Sequence, residues 1–284
     1  MIKQISSSAN PLIKKIRALA RKRQRSRSGF FLAEGERLAL QAEAAGIRPH
    51  YLLFSQETRG QPGTRALVDR MAAAGVLCIE TSRQLLSQIT RRQNTQDVVA
   101  VYQQRHLPLA ALDIGAHSLW VALEEVRDPG NLGTILRSAD AVGAGGVLLL
   151  GDSCDPYSLE AVRASMGSVF TVPFALCRLE ELVQWCHAGS GRLIGTSLQS
   201  QRQLDAMGMA SGRPIVLLMG GEQSGLSKDA MAACHELVRI PMRGAAQSLN
   251  LAVATGVMLY SLWGAEGYPG ARPCPDAVRA PGDP

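Results

Sequence analysis

The chain has 284 residues, 46% of them hydrophobic and only 5% aromatic, and a formal net charge of +6. That length fits two domains with mainly aliphatic cores. Six scattered cysteines (78, 154, 177, 186, 234 and 274) without a C-x-x-C pair argue against a zinc site or a disulfide framework, and the five histidines lack metal-ligand spacing.

No metal is expected, and reduced thiols in a cytoplasmic protein are. The longest apolar stretch, Leu251–Trp263, is shorter than the roughly 20 residues a membrane-spanning helix needs. Residues 1–33 carry nine Lys/Arg and no acid, a composition shared by mitochondrial transit peptides, but a nucleic-acid-binding face also accounts for it.

Charge divides the chain. Residues 1–103 hold 17 Lys/Arg against 7 Asp/Glu, a net of +10, and the remainder nets −4. A basic region joined to a mildly acidic one suggests that the first binds a polyanion and the second something less charged.

Asn10-Pro11 predicts a helix start, Asn as cap and Pro in the first turn. Leu12, Ile16 and Leu19 form an apolar seam, with Lys14, Lys15, Arg17, Arg21 and Lys22 on the other faces. Arg23, Arg25 and Arg27 follow in a basic loop. Together these residues suit phosphate-backbone binding.

From Phe30 to Tyr102, strands are predicted at Tyr51–Phe54, Val76–Glu80 and Val98–Val101. Helices are predicted at Glu36–Ala45, Thr64–Ala74 and Ser82–Ile89. The fold class is therefore a small α/β domain over residues 1–103, followed by a linker at 104–117. Over 118–264, strands at Leu119–Glu124, Val147–Leu150, Leu193–Ser197, Ile215–Met219 and Leu237–Ile240 alternate with helices. Those helices are at Leu132–Val142, Ser158–Met166, Leu179–His187, Ser227–Cys234 and Leu249–Trp263. Such alternation implies a parallel sheet covered on both faces. Residues 265–284, with five prolines, read as a disordered tail.

Ligands of open α/β sheets bind beyond the carboxyl ends of the strands, and three segments fall there. DPGNLGTILRSADAVGA (Asp128–Ala144) enters a helix that Asn131 could cap, with Arg137 two turns inside and off the buried face. LLMGGEQSGLS (Leu217–Ser227) is a glycine-rich loop. It lacks the Walker Lys-Ser/Thr, does not match G-x-G-x-x-G, and carries Glu222 where phosphates would be repelled. A neutral or cationic ligand such as S-adenosylmethionine suits it better; a plain tight turn is the alternative. IPMRGAAQSLNLAVATGVMLYSLWG (Ile240–Gly264) ends a strand, and Ser248 or Asn250 opens a long apolar helix.

These three segments resemble the motifs of the SpoU/TrmH branch of the SPOUT methyltransferases: N-x5-R, then G-x-E-x-x-G, then I-P-M followed by S-L-N, in that order. The segments SANPLIKKIRALARKR and GFFLAEGERL resemble the substrate-binding domain of the bacterial rRNA-type members. The likeness spans residues 3–264; Arg91–Asp97 (RRQNTQD) departs from the family pattern.

The resemblance implies a Rossmann-like domain whose last segments thread into a trefoil knot, an exception to unknotted connections. It implies S-adenosylmethionine held at Gly220, Ile240 and Leu249, with Thr196, and active-site positions at Asn131, Arg137, Glu222, Ser248 and Asn250. It also implies a homodimer through the C-terminal domain and 2′-O-ribose methylation of RNA. Ribosomal RNA is favoured over transfer RNA because a dedicated N-terminal domain is present.

The family proposal makes the arginine a base. A guanidinium hardly ever deprotonates in proteins, and the alternative is that Arg137 holds a phosphate and stabilises the developing alkoxide. A non-catalytic RNA-binding protein on the same fold is one rival reading. A nucleotide-binding oxidoreductase, resting on the GAGG at Gly143–Gly146, is another.

Overall fold

The computed structural model describes residues 1–58, 60–204 and 212–271. The N-terminal region builds a five-stranded sheet in the order β1-β4-β3-β5-β2. Its strands are β1 (Ile2–Gln4), β2 (Phe30–Glu34), β3 (Tyr51–Ser55), β4 (Leu77–Thr81) and β5 (Val98–Gln103). β1, β4 and β3 run parallel, and β5 runs antiparallel to both β3 and β2. Helices α1 (Pro11–Ala18), α2 (Lys22–Ser28), α3 (Glu36–Ala44), α4 (Pro62–Ala73) and α5 (Arg83–Thr90) complete the domain.

The Asn10 side chain accepts from the Leu12 N–H at 2.9 Å, as the cap expectation requires. The seam of α1 is shifted by one residue, with Ile13, Ile16 and Leu19 buried and Leu12 half-buried. The expected basic loop is helical: Arg21 precedes α2, and Gly29, at φ 72°, closes it.

The second sheet has six strands, all parallel, in the order β11-β9-β10-β6-β7-β8. They are β6 (Leu119–Glu124), β7 (Val147–Leu150), β8 (Phe174–Cys177), β9 (Arg192–Thr196), β10 (Ile215–Met219) and β11 (Glu236–Val238). Strands β1, β2 and β8 were not foreseen, being short and without clear alternation. The helices are α6 (Pro129–Ala141), α7 (Leu159–Ala164), α8 (Leu179–Ala188), α9 (Lys228–Ala233) and α10 (Leu251–Ala265).

From β6 the chain builds outward to β7 and β8, then crosses to build β9, β10 and β11 on the other side. β6 and β10 are adjacent, so the strand order reverses between them.

The glycines of GAGG serve packing. A Cβ on Gly145 would lie 2.5 Å from the Trp120 ring, and one on Gly146 would lie 2.7 Å from the Pro173 carbonyl. This removes the sequence feature that favoured an oxidoreductase. The 104–117 segment is more than a tether. It forms short 3-10 turns at Leu109–Ala111 and Ile114–Ala116, and Leu112 and Ile114 are buried against the second sheet. Residues 265–271, expected to belong to the tail, hold the last residue of α10 and a turn in which the Trp263 indole donates to the Pro269 carbonyl at 3.1 Å. The rest of that expected tail, 272–284, lies outside the described residues.

The two sheets are joined by a buried seam. Phe31 of β2 stacks on Tyr157, centroids 4.5 Å apart. The Glu34 carboxylate, at 1% side-chain exposure, pairs with Arg163 of α7 and accepts from the Thr95 hydroxyl and the Gln96 N–H at 3.1 and 3.0 Å. Arg25 pairs with Asp155 at 2.6 Å and donates to the Leu19 carbonyl at 2.9 Å. The segment that departs from the family pattern, 91–97, is thus part of this seam.

Candidate functional site

A cleft of about 610 Å³ lies at the carboxyl ends of β9, β10 and β11, against the start of α10. Its floor is apolar, from Met219, Leu226, Val238, Ile240, Leu251 and Ala254. The loop after β10 closes tightly: Gly225 donates to the Gly221 carbonyl at 3.0 Å and sits at φ 65°. A Cβ on Gly220 would come within 2.0 Å of the Gly225 carbonyl carbon and 2.2 Å of the Leu226 nitrogen, so only glycine fits.

That turn lifts Glu222 across to the end of β6. Its carboxylate accepts from the Arg127 and Asp128 backbone N–H groups, each at 3.1 Å, and from the Asn131 amide at 3.0 Å. Asn131 in turn accepts from the Asn250 amide at 2.9 Å. A chain of hydrogen bonds, Glu222 to Asn131 to Asn250, therefore joins the three motif segments. Burial pushes the Glu222 carboxyl up, but the Asn131 amide and the backbone donors outweigh it and hold the group below the usual carboxylate range. It stays ionised at neutral pH and is better suited to clamping than to accepting a proton.

One local reading is corrected. Asn131 does not cap α6: Asp128 does, accepting from the Asn131 N–H at 2.8 Å, and Pro129 takes the first turn. The helix starts three residues earlier than expected, which frees the Asn131 side chain for the network. The Asp-Pro pair was the sequence signal for this. Asn250 does cap α10, accepting from Ala252 at 2.9 Å, so its carbonyl serves the helix while its amide serves Asn131.

A tie absent from the sequence reading is Glu124, at the end of β6. It accepts from the Ser227 N–H at 2.8 Å and the Ser227 hydroxyl at 2.7 Å, locking the start of α9 to the cleft.

Of the other expected residues, Thr196, Gly220, Ile240, Ser248 and Leu249 all line the cleft, and the Thr196 hydroxyl lies 3.5 Å from the Met219 sulfur. Arg137 does not line it. It stands exposed on α6, with no hydrogen-bond or ion-pair partner among the described residues. Among the described residues the lining holds one cation, Arg239, whose Nε is buried and unpartnered, and one anion, Glu222. An apolar floor, close backbone and so little positive charge fit S-adenosylmethionine and disfavour a nucleoside triphosphate.

The family model of the SpoU rRNA methylases matches residues 118–260, and that of the MRM3-like substrate-binding domain matches residues 10–100. The chain belongs to the SpoU rRNA methylase family. This SpoU methylase is similar to an AdoMet-bound rRNA methyltransferase from Sinorhizobium meliloti, at 40% identity and a TM-score of 0.84 over 92% of this chain and 97% of that one. It is similar to AviRb of Streptomyces viridochromogenes in complex with AdoMet, at 29% identity and a TM-score of 0.81 over 93% and 100%. A curated relative is the 23S rRNA guanosine 2′-O-methyltransferase RlmP of Bacillus subtilis, 30% identical over 93% of this chain and all of that protein.

On the basic face of the SpoU methylase, Lys14, Lys15, Arg21, Lys22 and Arg23 are exposed and Arg17 is half-exposed. Arg25 must be taken out of the RNA-binding set. At 4% exposure and paired with Asp155 it belongs to the seam, because its position on α2 turns it inward between Leu19 and the second domain. No helix among the described residues is long and apolar enough to cross a membrane.

Proposed function

We propose that this SpoU methylase transfers a methyl group from S-adenosylmethionine to a ribose 2′-hydroxyl of ribosomal RNA, with Arg137, Asn131, Glu222, Ser248 and Asn250 around the reacting ribose. The observation that carries the reading is the hydrogen-bonded chain Glu222–Asn131–Asn250 at the mouth of an apolar cleft, with an arginine on the same helix as Asn131 that has no partner among the described residues. S-adenosylmethionine supplies an electrophilic methyl group when bound; Gly220, Ile240, Leu249 and Thr196 would hold it.

The protein's task is orientation and charge. Glu222 fixes the loop after β6 through two backbone N–H groups, and so fixes the start of α6. Asn131 and Asn250 are held against each other, and Ser248 is free on the cleft wall to meet the ribose. Arg137, exposed and without an acidic partner among the described residues, is available to a phosphate of the RNA and to negative charge developing on the 2′-oxygen. Neither Arg137 nor the clamped Glu222 is suited to take the proton, which leaves it to a phosphate oxygen or water.

RlmP and the rRNA methyltransferase of Sinorhizobium meliloti support ribosomal RNA as the substrate class. The test is incubation with labelled S-adenosylmethionine and total RNA, followed by mapping of 2′-O-methyl sites in cells with and without the gene. Label appearing in ribosomal RNA is expected; label confined to transfer RNA, or absent, would refute the substrate assignment.

We further propose a homodimer through the C-terminal domain. Leu249, Val253, Val257 and Tyr260 are large, exposed and spaced four, four and three residues apart at and along α10. An apolar stripe of this kind marks an interaction surface. Val257→Asp should turn a dimer into a monomer in sedimentation velocity; an unchanged mass would move the interface elsewhere.

A further inference from the structure

A second cleft, of about 470 Å³, lies in the N-terminal domain between α1, α2 and the sheet. Its volume is within the ~300–1,000 Å³ usual for small-molecule sites. Its floor is made by Ile16, Leu19 and Val101, all buried, with Leu12 and Ala18 beside them. Its mouth carries three rings in contact: Phe30 and His50 at 4.9 Å, His50 and Tyr51 at 4.4 Å. Lys14 and Lys15 also line it; both are exposed and have no side-chain partner among the described residues. Gln24 and Ser28 add polar atoms, and no carboxylate is among the described lining residues.

Each component corresponds to one part of a nucleotide. Rings with accessible π-faces over an apolar floor suit a stacked base. Unpaired lysines suit the phosphates on either side. Gln24 can both donate to and accept from a base edge. A hydrophobic protein side chain would fill the floor but leave two cations uncompensated. The cleft also adjoins the most basic stretch of the chain, residues 14–27, which carries no acid.

We propose that this cleft receives one unpaired nucleobase of the RNA substrate, so that the N-terminal domain recognises a bulged or looped strand. Duplex alone would not satisfy it. The inference rests on the RNA reading above and names what that domain recognises. A paired base has no free π-face and no free edge to offer.

The test uses the full chain and two RNA hairpins, one with a single bulged 2-aminopurine and one fully paired. Ala18→Phe fills the cleft without removing a ring or a charge, and His50→Ala removes an exposed ring; thermal melts check that both variants are folded. The wild type should bind the bulged hairpin more tightly and change the 2-aminopurine fluorescence. His50→Ala should weaken bulged-hairpin binding by about 5- to 150-fold, the range for removal of one base–aromatic stack; Ala18→Phe should weaken it as well, and both should leave the paired hairpin unaffected.

Equal affinity of wild type and Ala18→Phe for the bulged hairpin would overturn the proposal and leave the methyltransferase reading standing. So would equal weakening of both hairpins. Unchanged hairpin binding with weaker affinity for ribosomal particles would overturn it too, assigning the cleft to a ribosomal protein. Failure of the wild type to bind either hairpin or to methylate ribosomal RNA would overturn both readings.

Discussion

The seam between the two domains and the exposed face of α6 both contain arginines, but they treat them in opposite ways. In the seam Arg25 is buried with Asp155, and Arg163 meets a Glu34 that is almost wholly enclosed. On α6 Arg137 is exposed and unpaired among the described residues. A buried charge needs a partner and hydrogen bonds to be tolerated, and once satisfied it is unavailable to a ligand. An exposed charge gains little from a partner and can be left free to meet one that arrives. The same side chain thus joins domains in one place and, in the function proposed above, is reserved for substrate in the other.

Substitution of the exposed arginine on α6 should show the largest effect. Arg137→Ala should lower methyl transfer by on the order of 10²–10³ or more, with S-adenosylmethionine binding by calorimetry nearly unchanged, because Arg137 is not in the cleft lining. Arg137→Lys sharpens the point, since lysine keeps the charge but loses the planar fork. Rescue by Lys would mean that charge suffices, and its failure would indicate a geometric role. Wild-type rates in Arg137→Ala would place this arginine outside the reaction.

The seam should respond in stability. Arg163→Met leaves the Glu34 carboxylate enclosed and uncompensated, so unfolding in urea should shift by about 3 kcal/mol or more. The double variant Glu34→Gln/Arg163→Met should recover part of that loss. If Arg163→Met alone unfolds like the wild type, the seam is not held by this pair.

The smallest effects belong to the basic face. Changing Arg21, Lys22, Arg23 and Arg27 to Gln should reduce the slope of log affinity against log salt by up to about three, or about 0.7–0.9 for each phosphate no longer neutralised. Arg25→Gln should instead lower the melting temperature, because its partners are within the protein. An unchanged slope in the four-residue variant would make α2 a solvated face only.

Much of this was legible along the chain because its causes are local. Asn10 and Asn250 cap the helices they precede, each with a partner two residues on. The apolar runs of β6, β7 and β10 were found with correct ends, since a strand buried on both faces must be apolar throughout. The glycine-rich turn and its glutamate were visible as a site of close backbone approach. What was misread depended on partners far away. Asn131 looked like a cap because its true partners, Glu222 and Asn250, lie 91 and 119 residues off.

By itself, then, the sequence determined most of the element types, the Asn10 cap, the division into a basic and an acidic half, and the three segments that the Glu222–Asn131–Asn250 chain joins. Only the tertiary structure decided which charges are free. Arg25 and Arg137 are equally basic in sequence. One lies against Asp155, 130 residues away, and the other faces no protein group among the described residues. Short-range hydrogen bonds and hydrophobic periodicity are written in neighbouring residues, whereas the burial of a charge depends on what the rest of the chain brings to it.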